Sequence, residues 1–563
     1  MNTKRQFALS MVLLAVLMAV AGFAQTADPV AAEVDAIFAD YDNTTSPGCS
    51  LGVIRDGELI YKRGYGMANL EYGIALSPRS VFRTGSVGKQ FTAMAIALLA
   101  QEGIISLDDS IRKLFPEFPS YTDNITIWHL IHHTSGIRDY LELAWMAGLD
   151  DEGPYTDEFA LELIARQKNT NFQPGDEYLY SNSGYFLLSH VVKRATGRTL
   201  REWAAENIFG PLGMKDTHFH DDHTHIVANR ADGYAPSDGG YNISMTTLDM
   251  VGDGGVFTTV EDLLLWDRNF YDNKLGAGGP ELIDLVTTPS RLNNGDNQDY
   301  AFGLGIETYR GLSIIRHSGG FVGFRAQMIR FPDQQFSVTV LCNRADADPT
   351  QRAIEVAELY LTELMEPKKA AEESGKDDTS THGITAREAE PVIGYYWQED
   401  DRMSREIRFE DGKLLYLRSE ESQTELAPLG GHRFVMVDVP VHVDVWFESP
   451  GSTEAKMLTK VEDDETHIYN SYEKRAPTTA ELTAYSGTYY SEELGVEYVL
   501  DAEDAILRFS ITRHEKHELE ALFDEIFANS DYGAFEFRRT SDGAVEGFML
   551  TSGRVRGVEF IRR

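Results

Sequence analysis

Val81-Phe82-Arg83-Thr84-Gly85-Ser86-Val87-Gly88-Lys89 runs directly into a stretch whose apolar residues are Phe91, Met94, Ala95, Leu98 and Leu99. That spacing predicts a buried helix over 91–99, so Ser86 stands at a helix N-terminus. A separation of i and i+3 puts Lys89 on the same face, within reach of the Ser86 hydroxyl. Amide N–H groups at a helix start are free to stabilise negative charge. A lysine buried there loses hydration, so its pKa falls and it becomes a base able to activate a hydroxyl. The Ser-x-x-Lys pattern also occurs at Ser110/Lys113 and Ser471/Lys474. Ser110 precedes Arg112 and Lys113 in a surface-like turn, and Ser471 falls in a later strand-rich region. Their surroundings therefore set both apart from Ser86.

Working outward, Phe172-Gln173-Pro174-Gly175-Asp176-Glu177-Tyr178-Leu179-Tyr180-Ser181-Asn182 holds a Pro-Gly turn that delivers Tyr180 and Asn182. These two alternate to one side if the segment is extended. Tyr180 can shuttle a proton, and Asn182 can hold Lys89 and a substrate amide. Tyr-x-Asn also occurs at Tyr41/Asn43 and Tyr271/Asn273, so the pattern alone decides little. The third stretch is His317-Ser318-Gly319-Gly320. Small residues on a strand let a substrate lie against the backbone, and a backbone N–H there can complete an oxyanion hole.

The remaining chain frames these stretches. Val30, Val34, Ile37, Phe38 and Tyr41 form a helical stripe. Strands are expected over 49–54 and 59–63, joined by Arg55-Asp56-Gly57, and over 336–342, with a final helix over 352–365. Residues 366–383 are polar and read as a linker. Beyond it, Gly394-Tyr395-Tyr396-Trp397 recurs as Gly487-Thr488-Tyr489-Tyr490, and Leu426, Leu429 and Phe434 recur as Leu519, Leu522 and Phe527 at the same offset. Met457-Leu458-Thr459 recurs one residue out of register as Met549-Leu550-Thr551. This duplication predicts two small antiparallel, lipocalin-like β-barrels over 384–477 and 478–563.

Lys4 and Arg5, the apolar stretch 7–20, and Gly22 and Ala24 ahead of Gln25 read as a cleaved signal peptide over 1–24. The mature chain is then expected to be periplasmic or secreted, without stable membrane insertion. Lys and Arg number 51 against 89 Asp and Glu, a net charge of −38. Such a surface repels phosphate backbones, which argues against nucleic acid as a partner. Two cysteines exclude a disulfide scaffold and a Cys-rich zinc module. Cys49 and Cys342 both fall in expected strands, where geometry often forbids a bridge, and their pairing stays open.

In their order along the chain, the three stretches resemble the penicillin-recognising serine hydrolases, the superfamily of serine β-lactamases, D-Ala-D-Ala carboxypeptidases, D-aminopeptidases and related esterases. His133-Thr134-Ser135-Gly136, residues 252–259 and residues 300–305 carry the likeness further. It spans about residues 40–360 and is strongest toward the class C β-lactamase-like branch. The resemblance implies an α+β catalytic domain over 28–365, an antiparallel sheet with helices plus a helical subdomain. It implies that Ser86 forms an acyl-enzyme and that Lys89 and Tyr180 move the proton. Asn182, His317 and Gly319 would hold the substrate, and the N–H groups of Ser86 and Gly320 would form the oxyanion hole. No metal or organic cofactor is expected. The superfamily's β-lactamases and carboxypeptidases carry Lys where His317 stands, a fixed cation for a substrate carboxylate. A His, largely neutral at neutral pH, resembles instead the D-aminopeptidases and esterases, and a catalytic domain followed by two barrels also resembles D-aminopeptidase.

The leading expectation is therefore an exported serine hydrolase acting on amide or ester bonds of small or short peptide substrates, D-amino-acid-containing ones included. It would be D-aminopeptidase-like or esterase-like, with β-lactamase activity third. The alternatives are a non-catalytic cell-wall- or peptide-binding or sensing protein on the same fold, and barrels that bind cell wall through Tyr395, Tyr396, Trp397, Tyr489 and Tyr490, for which core packing is the expected role. A barrel loop is expected to shape the mouth of the catalytic site. His218, His220, His223 and His225 with Asp221 and Asp222 lack a settled ligand spacing and are not taken as a metal site. Of His129, His132 and His133, at most one is expected to face the site, and Trp128 and Trp266 are expected in the core.

Overall fold

Phe-Ser-Val-Thr-Val-Leu-Cys over Phe336–Cys342 is buried at every position, as a central strand covered on both faces requires. In a computed structural model that describes residues 30–563, apart from 151–152, 154, 368–383, 420–421, 438, 440–441, 462–465 and 512–514, this strand sits inside a six-stranded sheet. The first helix is α1 (Ala31–Ile37) and the first strands are β1 (Cys49–Arg55) and β2 (Glu58–Tyr65). Helices α2 (Lys89–Gln101), α3 (Tyr140–Met146) and α4 (Asn182–Thr196) follow. The chain returns to the sheet through β3 (Gly305–Tyr309), β4 (Leu312–Phe321), β5 (Phe324–Phe331) and β6 (Phe336–Cys342), then ends the domain with α5 (Pro349–Leu361). The sheet order is β3-β4-β5-β6-β1-β2, antiparallel throughout.

One face of the sheet packs against α1 and α5 through Val34, Phe38, Val338, Val340 and Val356. Pro349 opens α5 and Asp348 caps it by accepting from the Gln351 N–H. The opposite face carries the helical region, in which α2 is buried from Lys89 through Leu99. Cys49 and Cys342 lie directly opposite one another on β1 and β6 and form a disulfide. The sequence left this pairing open. The register settles it, because it brings together two side chains 293 residues apart.

Beyond residue 383, two closed eight-stranded antiparallel barrels follow. The first spans strands Gly394–Gln398 to Thr466–Tyr472, and the second spans Gly487–Ser491 to Val555–Arg562. The duplication extends to hydrogen bonds. The Tyr396 hydroxyl donates to the Val392 carbonyl at 2.8 Å, and Tyr489 donates to the Tyr485 carbonyl at 2.7 Å. Each barrel is preceded by a capped helical turn, Thr385 with Glu388 and Thr478 with Glu481. Leu429 departs from the repeat: it is exposed on an irregular strand, whereas its counterpart Leu522 is buried. Leu522 belongs to one apolar cluster with Trp397, so its position serves contact between the barrels.

The second barrel shares one continuous core with the catalytic domain. At that junction Arg138 pairs with Glu493 at 2.5 Å, each side chain only 3% exposed. The Tyr498 hydroxyl donates to the Met146 carbonyl at the end of α3. Residues 1–24, read as a signal peptide, and most of the linker at 366–383 lie outside the described residues. No helix among the described residues is long and apolar enough to cross a membrane.

Candidate active site

Ser86 does not sit in the first turn of α2 itself. It occupies a 3-10 turn, Gly85–Gly88, that leads into the helix. Gly85 takes φ +51° and has no room for a Cβ, which would meet the Gly320 nitrogen at 2.8 Å. Lys89 is fully buried. Its amine lies 3.1 Å from the Ser86 hydroxyl, 2.8 Å from Asn182 Oδ1 and 2.5 Å from the Asp253 carbonyl oxygen. Burial drives its pKa down to about 7, against the upward pull of Asp253 and Asp139. As a neutral amine, Lys89 can donate to Asn182 and Asp253 while its lone pair accepts from the Ser86 hydroxyl. That is the geometry of a base poised on a nucleophile.

Tyr180 and Asn182 arrive on the segment leading into α4. Asn182 is the first residue of that helix, and its N–H donates to Asp139 Oδ2 at 2.6 Å. Asp139 also caps α3 through the N–H groups of Leu141 and Glu142, so one buried carboxylate fixes both helix starts. The Tyr180 hydroxyl is buried without a well-formed hydrogen bond. Burial pushes its pKa well up, and the Ser86 hydroxyl and the Arg554 charge pull only partly against it. Tyr180 is therefore a neutral phenol, suited to giving a proton rather than taking one from serine. Its ring packs against His133, whose Nδ1 accepts from the Ser181 N–H. His133 is thus the histidine of its trio placed at the site, while His129 caps a helix with Thr126.

His317, Gly319 and Gly320 lie on β4, which passes against the Ser86 turn. A Cβ on Gly319 would lie 2.0 Å from the Thr84 carbonyl and 2.9 Å from the Ser86 nitrogen. This close approach brings Gly320 to the wall of the Ser86 cavity. His317 lies next to Tyr180, its ring centre 6.3 Å from that of the phenol, and is not in the lining of the cavity. Its Nε2 meets the Tyr300 hydroxyl at 2.9 Å and its Nδ1 meets the Ser318 carbonyl at 2.6 Å. Burial lowers its pKa to about 4, so the ring is neutral at neutral pH.

The cavity over Ser86 holds about 360 Å³. One lining residue, Arg554, comes from the second barrel. Arg554, in the turn between strands Val545–Ser552 and Val555–Arg562, enters beside Tyr180 with its guanidinium 5.7 Å from the ring centre. Its Nε donates to Glu142 Oε1 at 2.8 Å, its backbone N–H to Glu142 Oε2, and its Nη1 lies 3.4 Å from Asp139. Gly553 before it takes φ +47°, and a Cβ there would collide with the Glu142 carboxylate. Sequence alone predicts a barrel loop at the mouth, but no local pattern singles out Arg554, Glu142, Asp139, Tyr300 or Arg83 as site residues.

The other pattern matches have local roles. Ser110 accepts from the Arg112 N–H and Lys113 pairs with Asp109, while Lys474 pairs with Glu520. His218 and His220 meet each other, and His223 pairs with Asp249. No group of three or more metal-ligating side chains occurs among the described residues. Trp266 is buried and donates to Gln90.

Penicillin-binding protein 4* of Bacillus subtilis (strain 168) is 27% identical to this chain over 429 residues, 72% of this chain and 91% of that protein. The D-aminopeptidase of Gluconobacter oxydans (strain 621H) is 28% identical over 378 residues, 67% of this chain and 68% of that one. The octameric penicillin-binding protein homologue from Pyrococcus abyssi superposes with a TM-score of 0.55 at 22% identity, over 78% of this chain and 98% of that one, a likeness of fold. The Beta-lactamase family model matches residues 34–361. With more than half of its length in that match, the chain belongs to the β-lactamase family and is a serine hydrolase of the penicillin-recognising superfamily.

Proposed function

We propose that this protein hydrolyses amide or ester bonds of small D-aminoacyl substrates through an acyl-Ser86 intermediate. The observation that carries the reading is the Lys89 amine, held near neutrality between the Ser86 hydroxyl, Asn182 and the Asp253 carbonyl. Lys89 takes the Ser86 proton as Oγ attacks the carbonyl carbon. The N–H groups of Ser86 and Gly320 face the developing oxyanion. Tyr180, kept protonated by burial, gives its proton to the leaving group, and the Lys89 ammonium restores it. Water then enters where the leaving group stood, and the same groups act in reverse to release the acid. Asn182 orients Lys89 and the substrate amide. Gly319 lets the substrate lie along β4, and His317 braces that strand through Tyr300.

The D-aminoacyl assignment is supported by the D-aminopeptidase relative and by the neutral His317, which offers no fixed cation at that position. An esterase acting through the same intermediate is the second reading. Export fits the basic and apolar N-terminal sequence, and the Cys49–Cys342 bridge suits an oxidising compartment. The test is a hydrolysis panel comparing the wild-type protein with Ser86→Ala. It pairs a D-alanyl nitroanilide, its L-alanyl counterpart, a short-chain nitrophenyl ester and a chromogenic cephalosporin. Ser86-dependent turnover with preference for the D-alanyl substrate is expected. Preference for the L-isomer or the cephalosporin would overturn the substrate assignment, and turnover by Ser86→Ala would overturn the mechanism.

A further inference from the structure

Arg83 stands three residues before Ser86, on the short strand Phe82–Arg83 that pairs with Val256–Thr258. It is 6% exposed and lines the same cavity as Ser86. No carboxylate of the described residues lies within ion-pair distance, and its Nε is buried without a hydrogen-bond partner. The other two buried arginines among the described residues are each paired, Arg138 with Glu493 at 2.5 Å and Arg330 with Asp267 at 2.8 Å. A buried charge is normally paired because its lost hydration must be replaced. At Arg83 the described residues supply the Phe321 ring, 5.0 Å from the guanidinium carbon.

The acids around Arg83 do not fill this role. Asp253 accepts from the Tyr140 hydroxyl at 3.0 Å, and burial pushes its carboxyl toward the neutral form. Asp249 is engaged by His223. Arg554, also in the lining, is already held by Glu142 and Asp139. Among the described residues Arg83 has no ionic partner, which leaves it able to meet an anion brought by a ligand. In the acyl-Ser86 reading the leaving group departs beside its proton donor Tyr180, which lines the cavity. Arg83 lies beside Phe321, and Leu248 and Met250 line the same cavity. A guanidinium fork matches a carboxylate.

We propose that Arg83 is a binding residue for a carboxylate on the acyl part of the substrate, so that, within the D-aminoacyl class, acyl groups whose side chain ends in a negative charge are preferred over neutral ones. The orientation rests on the acyl-Ser86 reading. Charge selection itself can be read without turnover.

Two measurements test this. The first compares kcat/KM for mono-4-nitrophenyl glutarate with that for 4-nitrophenyl valerate, a neutral ester of similar length, in wild type, Arg83→Gln and Arg83→Lys. Wild type is expected to favour the glutarate. Arg83→Gln should lose about tenfold or more on that ester alone, and Arg83→Lys should recover part of the loss. The second titrates free glutarate by calorimetry into Ser86→Ala and into Ser86→Ala/Arg83→Gln. Binding by the first and loss in the second are expected even if the acyl-enzyme reading fails. An equal loss on both esters would assign Arg83 a structural role. Equal glutarate binding by the two inactive proteins would overturn the proposal outright.

Discussion

At the scale of single residues, the chemistry turns on where two protons rest. Lys89 has a pKa near 7 because burial outweighs its acidic neighbours. A base must be deprotonated to act, so kcat/KM should rise through pH 7 and fall about tenfold per unit below it. Lys89→Met should lower kcat by about 10²–10⁴. Arg554 lowers the Lys89 pKa from a distance. Removing that cation makes protonation of Lys89 easier, so Arg554→Ala should move the acidic limb of the pH profile upward. An unmoved limb would mean that the barrel arginine does not act on the base. Ser86 and Lys89 were legible in the sequence because their relation is local, one helical turn apart and ahead of an apolar run. Arg554 was not, because it meets Glu142 across 412 residues of chain, and no local pattern encodes that contact.

At the scale of elements, the site depends on how closely β4 approaches the Ser86 turn. Gly319→Ala would drive a methyl group into the Thr84 carbonyl and displace the strand that carries Gly320. A kcat loss of about 10²–10³ is expected, the usual cost of losing one oxyanion donor, with the melting temperature as a check on folding. The Cys49–Cys342 bridge closes a loop of nearly the whole catalytic domain. Cys49→Ser should cost about 2–5 kcal/mol of stability, measured by denaturant unfolding. The sequence identified both strands yet could not say that they were neighbours. Sheet order is a property of the packed domain, not of either segment. His317 shows the same limit. Its place on β4 was readable, but its burial against Tyr300 follows from how β3 and β4 pack on the helices.

At the scale of the whole molecule, the second barrel completes the catalytic cavity rather than hanging from it. The Arg138–Glu493 pair seals the junction, and breaking such a buried pair leaves a charge unmatched. Glu493→Gln should therefore cost about 3–5 kcal/mol, read by thermal or denaturant unfolding. The duplicated barrels were legible because the repeat preserves apolar spacing. Their docking was not, because the residues that perform it, Arg138, Glu493, Tyr498 and Arg554, look like ordinary charged or strand positions in sequence. The central claim is that Ser86, activated by Lys89, becomes acylated. Its most direct test is acid quenching of the enzyme during turnover of a D-alanyl nitrophenyl ester, followed by peptide mass analysis. The account predicts a D-alanyl mass on the peptide carrying Ser86, forming faster as pH rises through 7 and absent from Ser86→Ala. An acyl group on another residue, or turnover persisting in Ser86→Ala, would contradict it.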